Sequence, residues 1–252
     1  NVDQLILKNK FPLNTLSNTE LLMQKMTGQL ELKIRNALLQ TGHSIESLKG
    51  EGIWENGALT HDFSGTALGS EFNINGKFPF SGLDKDSISR VEWKELDIAK
   101  LPLPKGMAWS PTQGKVSGKL SLTGPIPKET DKLKGSIEFQ AESLVLKPAN
   151  ANEARPIEIS RLTGRGDFDR GQLQHDIQGA IWASDFDIKG KFPLNADNPV
   201  LNSQLNWTGL NIAQLPLPPS KGWHPTEGKV SGALTLAGRA SAKRESFSGR
   251  LK

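Results

Sequence analysis

The sequence has no cysteine, which excludes thiol nucleophiles, cysteine-bound zinc and a disulfide framework. It has no run approaching 18 consecutive apolar residues, so no segment of the chain as given spans a membrane as a helix. It opens Asn1-Val2-Asp3, not on methionine, and no signal peptide is expected within the residues given. Charge of one sign is not in large excess. Thirty-one Lys and Arg stand against 27 Asp and Glu, a net +4, and with no RNP-like aromatic motif nothing points to nucleic acid. Only four histidines occur: His43, His61, His175 and His224. No HExxH, GxSxG, Walker loop or strand–helix GxGxxG is present. The expectation is therefore no enzyme, no catalytic residue, no metal and no cofactor. Disorder is excluded from the other side, because 36% apolar residues plus 25 glycines in 252 match a globular composition.

What the chain does have is an internal repeat, the feature to settle before any fold is read. Leu96–Gly124 reads LDIAKLPLPKGMAWSPTQGKVSGKLSLTG and Leu210–Gly238 reads LNIAQLPLPPSKGWHPTEGKVSGALTLAG, with 18 identities in 29 ungapped positions at an offset of 114. The same offset carries Ser70–Pro79 onto Ser184–Pro193, Trp93 onto Trp207, and His61-Asp62 onto His175-Asp176. Further back it falls to 107, aligning Gly28-Gln-Leu-Glu31 with Gly135-Ser-Ile-Glu138. About seven extra residues near Pro148 to Pro156 account for the change. Gly249-Arg-Leu-Lys252 matches the start of a further copy, and Leu7–Asn14 echoes the tail of a preceding one. The expected organisation is 1–27 as a preceding tail plus a short helix, 28–134 and 135–248 as two repeats, and 249–252 opening a third. The chain reads as a segment of a longer repetitive protein.

Each repeat reads as strands. Phe72, Ile74, Gly76 and Phe78 alternate with Asn73, Asn75 and Lys77, and Val116, Gly118, Leu120 and Leu122 with Ser117, Lys119 and Ser121, the period of a half-buried strand. Asn56-Gly57 and its counterpart Arg170-Gly171 are hairpin signals. One helix is expected over about 18–26, where Ser17 and Glu20 have capping-box spacing and Gly28 follows. No other amphipathic helix is available to cover an apolar sheet face. The sheet then either closes as a sandwich or barrel or curls around something apolar. At ~4.8 Å per strand, two six-strand units with flanks make a trough of about 60–70 Å.

The GxxSGxLxLxG strands (Gly114–Gly124 and Gly228–Gly238), the hairpins and the tandem amphipathic strands resemble the AsmA/TamB superfamily of bacterial envelope proteins. The resemblance covers most of residues 28–252. It implies an all-β chain with one short helix near its N-terminus: a long curved antiparallel sheet, a β-taco or half-barrel of tandem ~114-residue repeats. It implies a periplasmic segment of a longer inner-membrane-anchored protein that carries phospholipid or another acyl lipid, supports outer-membrane assembly and meets membranes through parts outside this chain. Outer-membrane assembly or secretion proteins are the implied protein partners. A weaker resemblance is to the type II secretion protein N family.

On this reading the lipid groove is lined by Phe72, Ile74, Phe78, Val116, Leu120 and Leu122 in one repeat and by Phe186, Ile188, Phe192, Val230, Leu234 and Leu236 in the next. The Leu-Pro-Leu-Pro loops leading to Trp109 and Trp223 offer Leu101, Leu103, Leu215 and Leu217 as a rim that admits lipid tails or meets a partner; the alternative, given more weight, folds the loop over the sheet with the Trp as a plug. His61-Asp62 and His175-Asp176 are read as polar residues of the wet face or a turn, because neighbours on a strand point oppositely. Trp93 and Trp207 are read as packing residues, and Lys77, Lys115, Lys191 and Lys229 as wet-face lysines that guard against edge pairing. The rival from another class is a closed sandwich or barrel scaffold, in which the same apolar residues form a sealed core.

Overall fold

The computed structural model describes residues 2–10, 27–38, 44–79, 86–101, 109–125, 132–148, 156–193, 200–215, 226–239 and 246–251. They form fourteen strands: β1 (Val2–Lys10), β2 (Thr27–Leu38), β3 (Ser44–Glu55), β4 (Ala58–Ala67), β5 (Ser70–Pro79), β6 (Ser87–Asp97), β7 (Trp109–Gly124), β8 (Lys134–Pro148), β9 (Ile157–Asp169), β10 (Gln172–Ile181), β11 (Ser184–Pro193), β12 (Val200–Asn211), β13 (Lys229–Arg239) and β14 (Ser246–Leu251). The strands are hydrogen-bonded in sequence order in one open sheet, antiparallel at each described pairing. The expected all-β class holds, and among the described residues the sheet is neither closed into a barrel nor faced by a second sheet. The helix expected over 18–26 lies outside the described residues. The chain divides into two compact units, Asn1–Leu96 with Ser117–Ser136 and Asp97–Val116 with Ile137–Lys252.

Local sequence explains the hairpins. Asn56 (φ 52°) and Gly57 (φ 72°) join β3 to β4, and Arg170 (φ 49°) and Gly171 (φ 70°) join β9 to β10, each a two-residue loop with both φ angles positive, as the right-handed strand twist requires. Leu68-Gly69 and Trp182-Ala183 do the same between β4 and β5 and between β10 and β11, without an Asn-Gly signal. Ser70 and Ser184, 3% and 2% exposed, open the strands that follow. Their hydroxyls donate to the Lys94 carbonyl at 2.6 Å and the Gly209 carbonyl at 2.8 Å. Both bonds tie β5 and β11 to an irregular spot on the next strand. There Glu95 and Gly209, both at positive φ, donate their N–H groups to Ser117 Oγ and Ser231 Oγ, each at 2.9 Å. Beyond these spots lie two three-residue 3-10 turns, Ile98–Lys100 and Ile212–Gln214, capped by the side chains of Asp97 and Asn211.

The register sorts side chains into rows across each unit. In the first, one row runs Leu32, Gly50, Phe63, Ile74, Val91 and another Ile34, Leu48, Gly65, Phe72, Trp93. In the second, the matching rows run Gly164, Ile177, Ile188, Leu205, Leu234 and Leu162, Gly179, Phe186, Trp207, Gly232. Aromatic rings cover the glycine gaps. A Cβ on Gly65 would meet the Phe72 ring and one on Gly179 the Phe186 ring.

One ring changes sides between the units. The gap at Gly50 is filled by Phe63 of β4, whereas the gap at Gly164 is filled by Phe139 of β8; the position equivalent to Phe63 is Ile177, and the position equivalent to Phe139 is Leu32. Each of these two gaps is thus covered by one phenylalanine, from β4 in the first unit and from β8 in the second. In the second unit Phe139→Leu is expected to cost about 1–2 kcal/mol through the gap it leaves, and Ile177→Phe about 1–3 kcal/mol through overpacking. Together they recreate the first unit's arrangement, so the double variant is expected to lie near wild type. Urea denaturation of the four proteins checks this: a coupling of at least ~1 kcal/mol is expected between two residues that flank one glycine gap, and additive losses would sink it.

Buried apolar side chains are few. Among the described residues they are Ala58, Ile98, Ala141 and Leu144. The last three cluster in the second unit, with Leu101, Val116, Ile159 and Leu162 against them. The 3-10 turn at Ile98 thus plugs one end of that unit's apolar face, and the rest of the face stays half-buried.

Candidate functional site

Parity along each strand builds the apolar face. Phe72, Ile74 and Phe78 stand opposite Trp93, Val91 and Leu59 respectively. In the second unit Phe186, Ile188 and Phe192 stand opposite Trp207, Leu205 and Leu173, with Leu234 opposite Leu205 and Leu236 opposite Ser203. All of these except the buried Ser203, together with Leu120 and Leu122, are only half-buried. Val230, opposite Leu210, is 44% exposed. Val116 sits instead at the packed end, against Ile98, Ala141 and Leu144. Among the described residues the only helical pieces are the two 3-10 turns and every strand belongs to the one sheet, so no described layer lies over these rows.

Of the expected rim residues, Leu101 packs on the buried cluster, and its N–H donates to the Ile98 carbonyl at 3.3 Å. Leu215 makes the equivalent bond to Ile212 at 3.3 Å and is half-buried. Leu103, Leu217 and Trp223 lie outside the described residues, and Trp109 is described only as the first residue of β7. Trp93 and Trp207 lie within the apolar rows, and their buried indole nitrogens have no hydrogen-bond partner among the described residues. An unpaired buried donor costs about 1–3 kcal/mol, so ring area outweighs polarity at both positions.

The opposite face is polar and internally paired. In the second unit Arg161 meets Asp185 at 3.4 Å and Lys189 meets Asp176 at 3.3 Å. The Asn206 amide donates to Asp187 and the Gln204 amide to Asn206, both at 2.9 Å. Lys77, Lys115, Lys191 and Lys229 are all exposed. Among the described residues no cluster of three or more potential metal ligands occurs.

His61 and His175 depart from the sequence expectation. They lie mid-strand on the apolar face, not on the wet face or at a turn. His61 stands between Gly52 and Gly76, and His175 between Gly166 and Gly190, with Ser89 and Ser203 next in the row. His61 stacks on Phe63 at 5.6 Å and 24°, and His175 Nε2 is 3.2 Å from Ser203 Oγ. Strand parity carried the signal: His61 shares the phase of Leu59 and Phe63, and His175 that of Leu173 and Ile177.

No family model, curated protein or solved structure matches this chain.

Proposed function

We propose that this chain is a non-enzymatic lipid-binding segment of the AsmA/TamB-like kind, in which acyl chains lie along the apolar rows while head groups stay in water. In this reading the sheet curves into a taco-shaped trough of tandem repeats. It belongs to a longer, inner-membrane-anchored periplasmic protein that supports outer-membrane assembly. The observation that carries the proposal is the half-buried state of the apolar rows in each unit. A sealed core of this length would hide many large side chains, and here only four apolar residues are buried among those described. The tandem architecture is supported by local structure recurring at the sequence offset: the hairpins at Asn56 and Arg170, the irregular spots at Glu95 and Gly209, and the capped turns after Asp97 and Asn211.

The driving force is desolvation. Each methylene moved from water is worth ~0.8 kcal/mol, so a 16-carbon tail gains on the order of 10 kcal/mol before ordering costs. Native mass spectrometry of the chain purified from bacteria, with solvent extraction and a detergent-exchange control, tests the proposal. Phospholipid retained through the exchange is the expected result. A lipid-free, monodisperse protein that takes up no added phospholipid would overturn it.

A further inference from the structure

The apolar face of each unit is crossed by one polar row. It reads Gly52, His61, Gly76, Ser89 in the first unit and Gly166, His175, Gly190, Ser203 in the second. The four positions are identical between units. The apolar row beside it is not: Phe63 gives way to Ile177 and Val91 to Leu205. A face that tolerates exchange among apolar residues and yet keeps a histidine and a serine is holding them for more than packing volume. Packing alone favours a leucine, because an imidazole on an apolar face forfeits hydration that only a hydrogen-bond partner restores.

The glycines give the row its form. The positions on both sides of each histidine lack side chains, so the ring stands in a notch. A Cβ on Gly76 would come within 3.2 Å of His61 Cε1, and one on Gly190 would run into Ser203 Oγ. His175 and Ser203 already lie within hydrogen-bond distance, at 3.2 Å. In that pair one group donates to the other, which leaves one donor, the serine O–H or the imidazole's second N–H, to meet a ligand among the apolar rows. That combination is complementary to an amphiphile whose alkyl chain ends in an oxygen acceptor, and it offers nothing extra to a plain hydrocarbon.

We infer that His61 with Ser89, and His175 with Ser203, are hydrogen-bonding stations for the acyl oxygen of a lipid, a carboxylate or an ester carbonyl, whose chain lies along the neighbouring apolar rows. The inference rests on the lipid-binding reading above and adds to it a polar contact in each unit.

The test uses the full chain and three probes: the apolar dye N-phenyl-1-naphthylamine, palmitate, and a monoacyl phosphatidylglycerol, the two lipids read by displacement of the dye. The variants are the double His61→Leu/His175→Leu and the double His61→Gln/His175→Gln, which keeps an N–H donor. The leucine variant is expected to bind the dye as wild type does. It is expected to lose about tenfold in affinity for palmitate, the phospholipid or both, the scale of one hydrogen bond to a charged or carbonyl oxygen. The glutamine variant is expected to recover most of that loss. A loss confined to palmitate identifies a free carboxylate as the ligand group, and one confined to the phospholipid identifies the ester. Undiminished affinity of the leucine variant for both lipids would overturn the stations and leave lipid binding intact. Failure of wild type to bind any of the three probes would overturn both.

Discussion

Replacing Leu120 and Leu234 together with glutamate is expected to abolish phospholipid retention and leave the β-sheet signal in circular dichroism unchanged. Leu120 and Leu234 are repeat equivalents on β7 and β13. Leu234 lies in the row of Ile188 and Leu205, and both leucines are half-buried. On an open face a glutamate at either position keeps its carboxylate in water, so the folding cost is small. In a sealed core the same change buries an unpaired charge, which costs several kcal/mol and unfolds a domain of ordinary stability. The variant therefore separates the two architectures by its fold alone, before any lipid is measured. A lipid chain is affected in the opposite sense. It must lie against the new carboxylate, and either the charge or several methylenes go unsatisfied. One charge on the apolar face of each unit is expected to lower retained lipid at least tenfold, on the order of 1.4 kcal/mol or more. Full retention in a folded variant would refute the groove, and a variant that fails to fold would favour the sealed core.

The second large effect is on stability. Gly179→Val is expected to destabilise the second unit by about 1–3 kcal/mol, measurable by urea denaturation or as a lower Tm. Intrinsic preference points the other way, since valine is a better strand residue than glycine by up to ~1 kcal/mol. Contact geometry decides the sign. A Cβ on Gly179 would come within 2.6 Å of Phe186 Cζ and 2.8 Å of the Arg161 carbonyl oxygen. The phenylalanine could turn aside, exposing its ring, but the carbonyl belongs to the β9 ladder and cannot. A variant as stable as wild type would show that the Phe186 ring does not occupy this gap.

The hairpins show how far local chemistry reaches. Asn56-Gly57 is a type I′ signal because both residues accept positive φ, and the turn forms there. Trp182-Ala183 makes the same kind of turn with residues that disfavour it. The pairing of β10 with β11, from Gln172 opposite Pro193 to Ile181 opposite Ser184, holds the two ends together, and no two-residue window of sequence contains that information. The irregular spots after Trp93 and Trp207 were equally invisible. They depend on Ser117 and Ser231, 22 residues further along the chain.

The sequence by itself determined the strand class, the period-2 faces and the 114-residue offset, because each is set by neighbouring residues or by plain self-similarity. It also contained the placement of His61 and His175 on the apolar face, through parity with Leu59, Phe63, Leu173 and Ile177. Only the tertiary structure decided that the sheet is open, since alternation is identical in a sandwich and a single layer. Only the register brought Gly52, His61, Gly76 and Ser89 into one row. Hydrogen bonding between strands fixes that alignment, and a slip of one residue on any strand would turn its side chains to the other face.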